Sequence, residues 1–79
     1  MTLDLHADTV EGALERVVHF LDRAVVSREY KVMIVHGHGT GKLKKAVREY
    51  VLNSPYVADS HPGEVWEGGD GVTVVTLAD

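Results

Sequence analysis

The chain has no cysteine, one tryptophan, one phenylalanine and two prolines. Without cysteine there is no disulfide staple and no thiolate metal site. A signal-peptide pattern and an apolar run of about 18 or more residues are also missing, so a cytoplasmic location is the default expectation. Positive charge is not in excess either. The net charge of −4 argues against attraction to DNA over the whole surface, because nucleic-acid modules commonly carry the cations that neutralise phosphates. No linker, repeat or low-complexity tract interrupts the 79 residues, which read as a single domain, 1–79. At 44% apolar and 25% charged the composition is that of an ordinary globular protein. A domain of this size buries only about 60% of its unfolded surface.

What is present is concentrated in one stretch, His36-Gly37-His38-Gly39-Thr40-Gly41-Lys42-Leu43-Lys44-Lys45. It follows the apolar run Val32-Met33-Ile34-Val35 and opens an amphipathic helix. Glycines at alternate positions let the backbone turn tightly and approach a ligand. The helix start beyond them offers unpaired N–H groups and a positive dipole end, which suits phosphate. Lys42, Lys44, Lys45 and Arg48 fall within seven positions, whereas Asp59, Glu64, Glu67, Asp70 and Asp79 crowd the C-terminal third. A basic face on an acidic body predicts modest, salt-dependent phosphate binding.

Periodicity lays out the rest. Leu3 and Leu5 alternate with Asp4 and His6, the period-two pattern of a short strand. Asp8, three before Glu11, is a candidate helix cap. Apolar residues at 13, 14, 17, 18, 21, 24 and 25 then keep helical spacing, with Gly12 tolerated. A strand over about Val32–Val35 leads to a second helix starting near Thr40 or Gly41 and ending at Asn53-Ser54-Pro55. Tyr56-Val57-Ala58 reads as a short third strand, His61-Pro62-Gly63 as the start of an irregular stretch, and Gly68-Gly69-Asp70-Gly71 as a turn. Val72–Leu77 is the clearest strand, β-branched at five of six positions. The fold class is therefore α/β, in the order β-α-β-α-β-β. The right-handed crossover rule puts both helices on one face of the sheet. Ligands in such sheets bind beyond the carboxyl ends of the parallel strands, which here carry His6 and the 36–39 loop. If the first two strands are neighbours, Asp4, His6, His36 and the loop converge.

Nucleotide signatures fail. A Walker loop requires glycine where His36 stands and a hydroxyl residue where Leu43 stands; a dinucleotide fingerprint requires glycine where Lys42 stands. Phosphodiester cleavage fits better. It needs activated water, charge stabilisation and a proton for the leaving oxygen. His36 or His6 could be base or acid, with Asp4 orienting an imidazole. Gly39 to Gly41, Lys42 and Lys44 could hold the phosphate. Alternatively Asp4, His6 and a loop histidine could bind a divalent ion, manganese as readily as magnesium. His38 is expected at the surface, touching ligand or solvent. His19 reads as a surface residue, and His61 has no evident partner. Trp66 could stack on a base, but packing against the sheet edge is the expectation.

Taken together, Leu3-Asp4-Leu5-His6, the His36–Lys44 segment and Gly68-Gly69-Asp70-Gly71-Val72-Thr73-Val74-Val75 resemble the small MutS-related (Smr) domain, in order and spacing from about Leu3 to Leu77. The ending is most similar to the C-terminal Smr domain of the bacterial MutS paralogue linked to suppressing recombination, which would make this chain a fragment of a larger MutS-type ATPase. The resemblance implies a two-layer α/β sandwich similar to the C-terminal domain of translation initiation factor three. Its four-stranded mixed sheet would have order 1-2-4-3, with the third or fourth strand antiparallel to the others. It also implies DNA-nicking endonuclease activity of low sequence specificity, metal-dependent in some members, in DNA repair or suppression of recombination. Branched DNA is the expected partner, with RNA or ribosome binding and RNA cleavage as alternatives. By position, Asp4, His6 and His36 would be catalytic. Gly37, His38, Gly39, Thr40, Gly41, Lys42, Lys44, Lys45 and Arg48 would contact nucleic acid. Three departures stand out: Ala7 replaces a usual glycine, His38 a common lysine, and Lys44 a common arginine, which loses bidentate phosphate contact.

Overall fold

The computed structural model describes residues 1–5, 9–38 and 41–78. Its elements are β1 (Thr2–Asp4), α1 (Val10–Val26), β2 (Lys31–Val35), α2 (Lys42–Leu52), β3 (Val57–Pro62) and β4 (Val72–Leu77). Two 3-10 turns, Val65–Glu67 and Gly69–Gly71, lie between β3 and β4. The sheet order is β1-β2-β4-β3. β1 is parallel to β2, and β4 runs antiparallel to both β2 and β3, so β4 is the reversed strand.

Helix α1 is capped by Thr9, whose Oγ1 accepts the Gly12 N–H at 3.2 Å. Asp8, the expected cap, lies outside the described residues. The helix buries Ala13, Val17, Phe20, Leu21 and Ala24, and α2 buries Val47 and Val51. Both stripes meet Leu5, Val32, Ile34, Val75 and Leu77 in one core, which places both helices on one face of the sheet. Among the described residues no helix is long and apolar enough to cross a membrane.

Val72 and Val74 lie on the opposite side of the pleat from Thr73 and Val75, yet they too are buried. The 63–71 segment covers them. The Gly63 N–H donates to Val72 O at 2.9 Å, and Glu67 reaches Lys31 at 3.2 Å. At Gly68 (φ +109°) a Cβ would come within 2.6 Å of Val72 Cγ2. Here Trp66 departs from expectation. It does not pack on the sheet edge but is 82% exposed, beside Val65 at 90%. The turn directs Glu67 inward to its lysine and leaves its two large apolar neighbours outside.

The third strand also departs from the reading. It runs to Pro62, with a pairing irregularity between Val57 and Asp59, so His61 and Pro62 belong to strand rather than loop. β3 is an edge strand, and there a proline's missing N–H costs no ladder bond.

Candidate nucleic-acid interface

The tips of β1 and β2 lie side by side. Asp4 pairs with Val35, and the Leu5 N–H donates to Val35 O at 2.7 Å. The chain then turns through Gly37 (φ +77°) and reaches Gly41 (φ +84°), which caps α2 with no side-chain bond. Both conformations are left-handed and favour glycine. His6, Gly39 and Thr40 lie outside the described residues.

A second glycine segment docks onto this loop. Gly71 O accepts the N–H groups of both His36 (3.0 Å) and Gly37 (2.9 Å). A Cβ at Gly71 would stand 3.0 Å from His38 Nε2 and 3.4 Å from the Gly37 carbonyl carbon, so the two segments approach closely there. The two glycine motifs, far apart in sequence, form one rim.

His36 is buried behind that rim, with both ring nitrogens engaged. Nδ1 lies 3.1 Å from Gly37 O and Nε2 lies 2.8 Å from Thr73 Oγ1. A carbonyl can only accept, which assigns the proton to Nδ1. Arg48 Nε donates to Thr73 Oγ1 at 3.1 Å, which leaves the hydroxyl proton for Nε2. Burial lowers the His36 pKa, the nearby Arg48 and Lys44 charges lower it further, and the Gly37 bond and Asp70 oppose the shift. His36 is therefore held as a neutral imidazole.

In front lies a cation clamp. Lys44 and Arg48, four apart on α2, share a face. Asp70 bridges them: Oδ2 takes Lys44 Nζ, while Oδ1 takes Arg48 Nη2 at 3.1 Å. Arg48 Nη2 also donates to Asp70 O at 3.4 Å. The Lys44 and Arg48 hydrogen bonds hold the exposed Asp70 carboxyl at about 2, so it stays ionised at any working pH. Beside Arg48 a small groove of about 160 Å³ is lined by Leu52, Ser60, His61, Pro62 and Thr73.

The predicted site residues fall into separate groups. His36, Gly37, His38, Lys44 and Arg48 gather at the strand tips. Lys42 and Lys45 are exposed on α2. Asp4 is exposed and adjacent in the sheet, but it is turned away. Leu3 and Leu5 face the helices, so the pleat sends the Asp4 side chain to the other face, whereas His36 bonds to groups on the helix face. Asp4 and His36 therefore project to opposite faces of the sheet, and His6, the third member of the expected divalent-ion set, lies outside the described residues. Among the described residues no three His, Asp or Glu side chains gather as one. The sequence reading assigned no role to Asp70 or Thr73. The one available signal was a polar threonine inside an otherwise valine-rich buried strand.

The family model that matches is the Smr domain, over residues 3–78. An endonuclease MutS2 of Anaeromyxobacter sp. is 48% identical over 75 residues, covering 95% of this chain and 9% of the relative. One of Bacillus velezensis is 46% identical over 77 residues, covering 98% and 10%. The chain thus spans about a tenth of these relatives, 9% and 10%. The crystal structure of the Smr domain of Thermus thermophilus MutS2 superposes with a TM-score of 0.96 at 36% identity, covering 99% of this chain and 98% of that one. A stand-alone small MutS-related protein of Escherichia coli, YdaL, shares the fold with a TM-score of 0.92 at 24% identity, covering 99% of this chain and 64% of that one. Matched by the family model over nearly its whole length and by relatives nearly half identical to it, this chain belongs to the Smr domain family.

Proposed function

We propose that this domain binds the phosphate backbone of DNA and cuts it with little sequence preference, in DNA repair or the suppression of recombination, as part of a larger MutS-type protein. The observation that carries the reading is the Lys44–Arg48 clamp, already bridging a two-oxygen anion beside a glycine rim and the start of α2. A phosphodiester presents two non-bridging oxygens of similar reach. Lys42 and Lys45 extend the contact along the backbone, and no base-reading group is needed. The name endonuclease borne by the MutS2 relatives supports the cutting step.

In that step water attacks phosphorus, the P–O bond breaks and the leaving oxygen takes a proton. The clamp and the positive end of α2 stabilise the added charge. Neutral His36 holds the rim in place. Among the described residues, His38, exposed at that rim, is the imidazole open to exchange a proton; His6, the other sequence candidate, lies outside them. Magnesium or manganese would need donors beyond the described Asp4 and His36, which face opposite ways. No step is therefore assigned to a metal.

A second reading, a module that docks DNA, RNA or a ribosome without cutting, is favoured by the internal engagement of both His36 nitrogens. Plasmid nicking by the 79-residue chain, with magnesium, manganese or chelator, separates the two readings. The cutting reading expects nicking by the wild type and a loss of about tenfold or more in the Lys44→Ala, Arg48→Ala double variant. Equal nicking by wild type and variant would place the activity elsewhere. Salt-sensitive binding without cleavage of DNA or RNA would establish the docking module.

A further inference from the structure

We propose that Asp70 is a built-in competitor for the backbone phosphate, which makes the site selective for polymeric nucleic acid over single phosphate groups. The inference rests on the nucleic-acid reading above and identifies what that site must displace.

The geometry is specific. Each Asp70 carboxylate oxygen takes one cation, as the two free oxygens of a phosphodiester would. Asp70 lies between Gly69 and Gly71, and Gly71 is fastened by two hydrogen bonds to His36 and Gly37 of the loop that forms the other wall. The carboxylate is therefore held at the clamp by the same contact that closes the rim. Gly68 and Gly69, both at positive φ, form the other side of the turn. Their N–H groups are themselves hydrogen-bonded to Val65 O and Glu64 O, so it is rotation about the exposed Asp70 side chain's own bonds that carries the carboxylate away while the backbone stays anchored.

A tethered anion acts at an effective concentration in about the millimolar range, so a lone phosphate competes poorly with it. A nucleic-acid strand competes well, because neighbouring phosphates engage Lys42 and Lys45 while one displaces Asp70. Asp70 thus trades affinity for discrimination. It also keeps Lys44 and Arg48 in their binding positions when no ligand is bound.

The test is binding of a fluorescein-labelled DNA oligonucleotide to the 79-residue chain and its Asp70→Asn variant, between about 50 and 200 mM salt. Asp70 is exposed and asparagine is isosteric; circular dichroism melting verifies that the variant folds. Asp70→Asn is expected to bind about three- to tenfold tighter at the lower salt, with a log–log salt slope steeper by about 1. Inorganic phosphate is expected to compete against the variant and not against the wild type. In the Lys44→Ala, Arg48→Ala background the same substitution is expected to do nothing, since the carboxylate then has no clamp to occupy. Asp70→Glu, which keeps the charge at the clamp, covers the case of a misfolded asparagine variant: it is expected to match the wild type and to resist inorganic phosphate as the wild type does, and a gain in affinity with the charge retained overturns the proposal. Weaker or unchanged binding by a folded Asp70→Asn, or a gain that persists without the clamp, overturns the proposal while the nucleic-acid reading stands. If no protein binds any oligonucleotide, both fall.

Discussion

On one face of the sheet two helices bury Val32, Ile34 and Val75; on the other, a glycine-rich segment over residues 63–71 covers Val72 and Val74. Among the described residues the helix face is an apolar core with one polar insertion, the His36–Thr73–Arg48 chain. The outer face is held by backbone contacts, one Lys31–Glu67 pair and close glycine approaches. Polar contacts gather where the two coverings meet, at the rim where Gly71 carries the outer segment onto the loop that leads to α2. Asp4, one residue from that rim along β1, belongs to the outer side. The pleat thus divides residues that adjacency along the strands would have joined.

Neighbouring valines provide the most demanding comparison of the two faces. Val74 and Val75 are both fully buried but face opposite ways. Val75→Ala is expected to cost about 2–3 kcal/mol, because the helices cannot close the gap, and Val74→Ala about 1–2, because the turns can settle. Urea unfolding measures both. Equal costs would show that the outer segment is as rigid as the helix layer.

His36→Gln is the next largest expected effect, about 1–2 kcal/mol at pH 7, from loss of a buried hydrogen-bonded ring. It also carries a pH signature. The folded-state pKa of His36 lies below its usual 6.5, so the unfolded chain binds the proton more readily. That part of the stability is complete above about pH 6.5 and is lost as pH falls below it through the folded value. The difference in unfolding free energy between wild type and His36→Gln should therefore shrink on acidification below pH 6.5. A difference that grows there would mean that the ring is held protonated.

The smallest effect is expected on the outermost surface. Trp66→Ala should change stability by no more than about 0.5 kcal/mol, since the ring is 82% exposed. A larger loss in urea unfolding would show that the outer covering depends on it.

Much of this architecture can be read along the chain. The 3.6-residue spacing of α1, the buried run of β2 and the β-branched β4 each state their element, because one face of each must be apolar. The glycines and lysines over 36–45 marked the junction between β2 and α2 as the candidate site. β3 was harder to read: Asp59, Ser60 and His61 show no apolar alternation, since an edge strand has less to bury. Thr9 caps α1, a role for which adjacent Asp and Thr residues cannot be told apart in sequence, because either side chain can accept a first helical N–H. Asp70 looked like one acid among several in the C-terminal third, although it completes the clamp.

Local pattern thus determined the order of elements, the family and the place of the loop, since hydrophobic period and glycine position act within a few residues. Tertiary structure alone decided which side groups meet there. The Lys44–Asp70 and His36–Thr73 contacts join residues 26 and 37 positions apart. Such pairings depend on sheet register and on the turn at Gly71, and a shift of one residue would send each side chain to the opposite face.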